Sequence, residues 1–238
     1  MQHKNCLDFK VSGKYALFSD PVMRVGGEKS TYPVPTYEAL KGIISAVYWK
    51  PTITWFIDKV RIIKPIHTVS KGVRIINYRE SKTDLSCYSY LSDCEYQVQV
   101  HFEWNMNRPE LEKDRNEGKH YSIAKKMIRL GGRRGVFLGT KECDAVVEPC
   151  VFGEGKGYYD EFDEFPLGLM FHGFTYADEA YSDETKGKLT VNFWRPVMKN
   201  GIIVFDRPEN CTIHKVVRDM NIKKFSAETG NFSVEEVI

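Results

Sequence analysis

Strict alternation opens the chain. In CLDFKVSG, Leu7, Phe9 and Val11 interleave with Asp8, Lys10 and Ser12, the period of a strand with one buried face. The period then changes. After a loop holding Gly26-Gly27, Pro33 and Pro35, the residues Tyr37, Leu40, Ile43, Ile44, Val47 and Tyr48 recur at helical spacing, with Thr36 as N-cap and Pro51 as a stop. TWFIDKVRIIKP predicts a strand ending at Pro65, and residues 66–94, polar and Tyr-rich, predict a hairpin arm or a long excursion. YQVQVHFEW alternates most cleanly, with Tyr96, Val98, Val100, Phe102 and Trp104 on one face. His101 and Glu103 share its other face and read as surface or partner-facing residues. Beyond Pro109, Ile123, Met127 and Leu130 form the stripe of a second helix that Gly131-Gly132 ends. GVFLGT and DAVVEPCVF offer a final strand.

Residues 1–152 therefore read strand, helix, strand, hairpin arm, strand, helix, strand. That βαββαβ order predicts an α+β, ferredoxin-like domain, the order also used by RNA-recognition domains. GEGKGYYDEFDEFP (153–166) is Gly-rich, acidic and turn-like, and is expected to be a linker. LGLMFHGFTY, KLTVNFWRPV and GIIVFD within 167–206 predict a small antiparallel sheet, with Lys199-Asn200-Gly201 as a hairpin turn. The polar stretch 207–238 is expected to be an irregular or weakly helical tail.

Composition adds bounds. A chain of 238 residues can bury a full core without staples. No apolar run reaches the roughly 18–20 residues of a membrane span, and MQHKNCLDFK lacks the apolar segment of a signal peptide, so no membrane partner and a cytoplasmic location are expected. The six cysteines, at 6, 87, 94, 143, 150 and 211, form no CxxC pair. Free thiols are expected, with neither a structural metal nor a cofactor.

Charge changes the picture more. The formal net charge is only +2, yet Lys119 to Lys141 holds seven Lys or Arg and no acid. Residues 59–82 hold seven basic side chains against Glu80, and residues 142–187 hold twelve acidic ones against Lys156 and Lys186. One basic face and one acidic face follow, the first suited to phosphate.

Lys119 and His120 fall at the start of the second helix, where unpaired N–H groups and the helix dipole favour an anion. The lysine is a fixed charge for a crowded phosphate, and the histidine exchanges a proton near neutral pH. Behind them Lys125, Lys126, Arg129, Arg133 and Arg134 are candidates to hold a nucleic-acid backbone, with Gly131 and Gly132 admitting close approach. These parts suit metal-free RNA cleavage in which the RNA's 2′-hydroxyl is the nucleophile. Tyr48, at the end of the first helix, is a third candidate. Spacing alone leaves the bland readings open: a solvated Lys–His pair and a core tyrosine satisfy the same patterns.

Three blocks, YPVPTYEALKGIISAVYWKPTITWFIDKVRIIKPI (32–66), SYLSDCEYQVQVHFEWN (89–105) and NEGKHYSIAKKMIRLGGRRGVFLGTKEC (116–143), resemble the subtype I-C (subtype d) branch of the Cas-five family, CRISPR-associated proteins of the RAMP superfamily. The resemblance runs in order from about residue 6 to 206. It implies a ferredoxin-like N-terminal domain with a protruding hairpin and a smaller antiparallel sheet. It also implies a metal-independent endoribonuclease that cuts CRISPR repeat RNA at the base of its hairpin, leaving a 2′,3′-cyclic phosphate or phosphate. The protein would then remain with the guide RNA among the other subunits of the type I-C interference complex. The family's catalytic trio falls here on Tyr48, in AVYWKP, and on Lys119 and His120, in GKHY. The resemblance implies His120 for proton transfer, Lys119 for phosphate stabilisation and Tyr48 for orientation. A non-catalytic subunit that caps the 5′ handle of the guide RNA is the alternative, and the basic face also implies weak affinity for DNA.

Overall fold

A computed structural model describes residues 4–21, 28–77 and 82–222. The first strand, β1 (Leu7–Ala16), buries Leu7, Phe9 and Val11 as its alternation requires. Helix α1 (Tyr37–Val47) starts where the Thr36 hydroxyl accepts from the Ala39 amide, and it buries Tyr37, Leu40, Ile43, Ile44 and Val47. Strand β2 (Ile53–Ile62) returns antiparallel to β4 (Lys82–Trp104), with a register shift between Ile57 and Lys59. Among the described residues, strand β3 (His67–Asn77) pairs with the first part of β4 alone, and the two form the expected arm. β4 is one continuous strand of 23 residues that carries the arm into the body of the sheet.

Helix α2 (Glu117–Arg129) is capped by the Asn116 side chain, which accepts from the Lys119 amide at 3.0 Å. Its buried stripe is His120, Ala124 and Ile128, with Ile123 and Met127 only partly covered. Leu130, expected on that stripe, is 65% exposed. It lies at the helix's end, where the chain leaves the α conformation through Gly131 and Gly132 at φ +78° and +107°. The Gly132 amide bonds Met127 O and the Gly131 amide bonds Ile128 O, the double bond of a Schellman cap.

Short strands β5 (Val136–Phe137) and β6 (Asp144–Pro149) follow, and β6 pairs antiparallel with β1. Further along come β7 (Glu164–Pro166), β8 (Met170–Thr175), β9 (Lys188–Trp194), β10 (Val197–Lys199), β11 (Ile202–Val204) and β12 (Ile213–Asp219). The large sheet runs β5-β6-β1-β4-β2-β11-β10-β7, with β3 added on β4. The small sheet is β12-β9-β8. Both helices contribute to a core under β1, β2 and β4, centred on Phe9, Trp55, Val98, Val100 and Phe102.

The strands after residue 166 divide differently from the expectation. KLTVNFWRPV is split at Arg195-Pro196 into β9 and β10, because proline has no N–H for a central ladder. The Asn200-Gly201 turn forms as expected, both residues at positive φ, but its hairpin β10–β11 pairs with β2 in the large sheet. The third strand of the small sheet comes instead from the expected irregular tail: β12 pairs antiparallel with β9. Pairing satisfies backbone groups that β9 would otherwise leave open on that edge. Residues 223–238 of that tail lie outside the described residues.

Residues 153–166, expected as a linker, are fastened to the sheet. Arg61, 4% exposed, donates to both Asp160 carboxylate oxygens at 2.8 Å, to Glu154 O and Gly155 O, and to Gln97 Oε1. The Gln97 amide in turn donates to Glu154 O at 2.7 Å. The polar face of β4 is thus covered rather than solvated. His101 is buried too, bonded to Asp58 at 2.7 Å, and is not a surface residue.

Candidate active site

The site grows from the C-terminal end of α1. Tyr48 ends that helix in extended backbone, φ −155° and ψ 125°, and its carbonyl accepts from the Trp55 indole at 2.7 Å. Consecutive side chains on extended backbone point opposite ways. Tyr48 turns inward and is 2% exposed, whereas Trp49 is 51% exposed. The Tyr48 hydroxyl reaches His120 Nδ1 at 2.8 Å.

His120 is in the first turn of α2, wholly buried, with the rings of Phe102 and Trp104 packed edge-on against it. Its other nitrogen, Nε2, lies 2.8 Å from the backbone carbonyl of Asp114. A carbonyl only accepts, so Nε2 carries hydrogen. In the neutral ring Nδ1 is then the acceptor and the Tyr48 hydroxyl the donor. Burial, and next the Asp114 charge, raise the Tyr48 pKa above its ordinary value, with Arg133 opposing. The hydroxyl therefore keeps its proton at neutral pH.

Lys119 faces solvent on one side, and its Nζ meets Asp114 Oδ1 at 2.5 Å. Thr52 donates to the other carboxylate oxygen at 2.7 Å, and that oxygen is also 3.4 Å from His120 Nε2. The Lys119 and Thr52 hydrogen bonds hold the Asp114 carboxyl below the usual carboxylate range. Asp114 ends a 3-10 turn (Pro109–Asp114), and Arg115 steadies the segment by donating to Asn105 O and Arg108 O.

The three sequence candidates are thus gathered: Tyr48 and His120 directly, Lys119 through Asp114. Sequence reasoning missed Asp114. The acid sits in PELEKDR, where nothing in the spacing separates it from a solvated turn, although its place two residues before a helix N-cap was a usable cue. Lys125, Lys126 and Arg129 lie exposed along α2, and among the described residues no ion pair or hydrogen bond joins their side chains to this network. Arg133 and Arg134 are also exposed, but their amides bond Val47 O and Ala46 O, which sets them at the end of α1 beside Tyr48. Gly131 and Gly132 form the cap described above. Among the described residues, no group of three or more His, Cys, Asp or Glu is placed to hold a metal ion. No described helix is long and apolar enough to cross a membrane.

A family model described as CRISPR-associated protein (Cas_Cas5), in its Cas5d form, matches residues 6–206. The chain belongs to the Cas5 family of CRISPR-associated proteins, subtype d. A curated member, the CRISPR pre-crRNA endoribonuclease Cas5d of Mannheimia succiniciproducens, is 28% identical over 229 residues, covering 84% of this chain and 94% of that one. A protein of the same name from Thermus thermophilus is 38% identical over 58 residues, about 24% of each chain. Among solved structures, a functionally uncharacterized protein from Streptococcus mutans matches with a TM-score of 0.72 at 38% identity. A second, a CRISPR-associated protein, matches with a TM-score of 0.70 at 36% identity. Each of these two matches covers 88% of this chain and 96% of the other. The mixed α/β architecture dominated by antiparallel sheets is that of the family.

Proposed function

We propose that the protein is a metal-independent endoribonuclease that cuts CRISPR repeat RNA at the base of its hairpin. It then stays with the guide RNA as a subunit of the type I-C interference complex in the cytoplasm. The observation that carries this reading is the Tyr48–His120 hydrogen bond with Lys119 at its rim, in a chain whose relatives are named pre-crRNA endoribonucleases. The order β6-β1-β4-β2 with its two crossover helices supports taking residues 1–152 as a ferredoxin-like catalytic unit. We take β8, β9 and β12 as the smaller subdomain.

In this reading the 2′-hydroxyl oxygen attacks the adjacent phosphorus and loses its proton as the new O–P bond forms. The departing 5′-oxygen of the next nucleotide gains a proton as its P–O bond breaks. The Tyr48–His120 pair takes up the first proton, handed through the Tyr48 oxygen to His120 Nδ1, and can return it to the leaving oxygen. Lys119 exchanges its Asp114 partner for a phosphate oxygen and offsets the charge that builds there. Lys125, Lys126, Arg129, Arg133 and Arg134 hold the backbone on either side, with Gly131 and Gly132 giving it room.

One observation favours the second reading, a non-catalytic cap on the guide RNA: His120 is fully buried and Lys119 already paired. A gel assay in EDTA separates the two. The nuclease reading expects cleavage of the repeat hairpin, and its loss, with binding kept, when the nucleotide before the cut is 2′-deoxy. Binding without cleavage of the all-RNA hairpin makes the protein a cap, and cleavage of the 2′-deoxy substrate overturns the 2′-hydroxyl mechanism.

A further inference from the structure

Resting on the RNA reading above, we propose that Trp49 is a stacking platform for an unpaired base, in a groove that holds the single-stranded nucleotides flanking the cut. Four observations converge on it. The first is the backbone reversal at Tyr48, which buries the tyrosine and presents the next ring to solvent. A half-exposed tryptophan beside a candidate catalytic residue keeps a large apolar face wet, and every nucleobase offers a face to cover it.

The second is shape. Trp49 lines a groove of about 470 Å³ between α1 and the segment that follows α2. Its floor along α1 is made by Gly42, Ser45 and Ala46. A side chain at Gly42 would meet nothing within 4 Å. Small residues on one helix face leave the height of a flat ring vacant above them.

The third is charge. Arg133 and Arg134 line the same groove, exposed and without an ion-pair partner among the described residues, held there by their amide bonds to α1. The groove's carboxylates are already engaged: Glu38 with the Phe174 amide and the Tyr176 hydroxyl, Glu179 with Lys41, and Asp178 with Arg108. Glu38, held by neutral donors, keeps its negative charge, so two unpartnered guanidinium groups against one carboxylate leave the groove net positive for an incoming phosphate.

The fourth is adjacency. Trp49 is covalently next to Tyr48, so the groove it lines opens at the C-terminal end of α1, the end at which Tyr48 turns inward to His120. A duplex hides its base faces, so this groove selects an unpaired flank over a stem.

The test uses the full chain and 2′-O-methyl RNA, which lacks the nucleophile and survives the measurement. One probe is a hairpin with unpaired flanks, and the other is a fully paired duplex of equal length. Trp49→Ala should weaken binding of the flanked hairpin by about five- to hundredfold, Trp49→Phe by less, and neither should change duplex affinity. Gly42→Leu fills the groove floor, removes no contact and suits a helix better than glycine. It should raise the melting temperature and still weaken the flanked hairpin. Wild-type affinity for that hairpin in both Trp49→Ala and Gly42→Leu, or equal losses for hairpin and duplex, would overturn the platform. Cleavage of unmodified repeat RNA by wild type is scored alongside. Binding without cutting sinks the nuclease reading and leaves the platform to its own affinities, whereas no RNA binding at all sinks both.

Discussion

His120 and His172 are both wholly buried, yet one is wired and the other is filler. His120 has a partner on each ring nitrogen, and one of those partners belongs to a residue that also grips Lys119 and Thr52. His172 donates Nε2–H to Asp206 O at 2.9 Å, while its Nδ1 is buried with no partner among the described residues. It lies stacked on Tyr37 at 4.2 Å, with Trp194 edge-on. Burial lowers the His172 pKa to about 4. The difference teaches that burial alone does not mark a histidine as structural or functional. What marks it is whether its second nitrogen is given a group that can exchange a proton.

Removing each ring breaks the comparison most. In the proposed mechanism His120→Ala should slow cleavage of repeat RNA by about 10²–10⁴-fold with binding retained. His172→Ala should lower the urea midpoint and leave the rate per folded molecule unchanged. Equal losses of rate in the two variants would erase the distinction.

The next effect is on stability. An unfolded chain protonates His172 near pH 6.5, but the folded one only near pH 4. Below 6.5 the unfolded state binds more protons, so the contribution is complete above pH 6.5 and drains away as pH falls toward 4, by about 2–3 kcal/mol. Urea midpoints across that window should show it, and His172→Phe should flatten that part of the slope.

Tyr48→Phe sharpens the contrast from the other side. It gives His120 the orphan Nδ1 that His172 already has, at a cost of about 1–3 kcal/mol in unfolding free energy, with cleavage reduced although the ring remains. The smallest effect belongs to Asp114→Asn. It keeps the backbone carbonyl that holds His120 but releases Lys119, so RNA should bind about two- to fivefold tighter at low salt, with the gain shrinking as salt is raised.

The elements that bury one face of a regular period were legible from residues alone: β1, α1 and the half of β4 that lies in the sheet body, 96–104, follow their alternation or stripe. β12 was not, because IHKVVRD is exposed along its whole length and its only reason to be a strand is the open edge of β9. Pro196 was visible as a break, but which sheet each half would join depends on partners far away in sequence. In the site, AVYWKP and GKHY supplied Tyr48, Lys119 and His120. That Tyr48 and His120 share a hydrogen bond across 72 residues, and that Asp114 ties Lys119 to them, are properties of packing. A basic run also suggests solvent, and nothing in GKHY says that its histidine is the inward member of the turn.

Arg61 carries one more consequence. The loop it grips, 153–160, has little apolar body of its own, yet Gly153 N bonds Gln97, Gly157 N bonds Asp160 and Tyr158 N bonds Ile63 O. Opening that loop strands a buried guanidinium and the amide of Gln97 in the middle of the sheet, a cost far above that of fraying an ordinary surface turn. The amides of Gly153, Gly157 and Tyr158 are therefore expected to exchange hydrogen with solvent on the schedule of β2 and β4, as part of one cooperative unit.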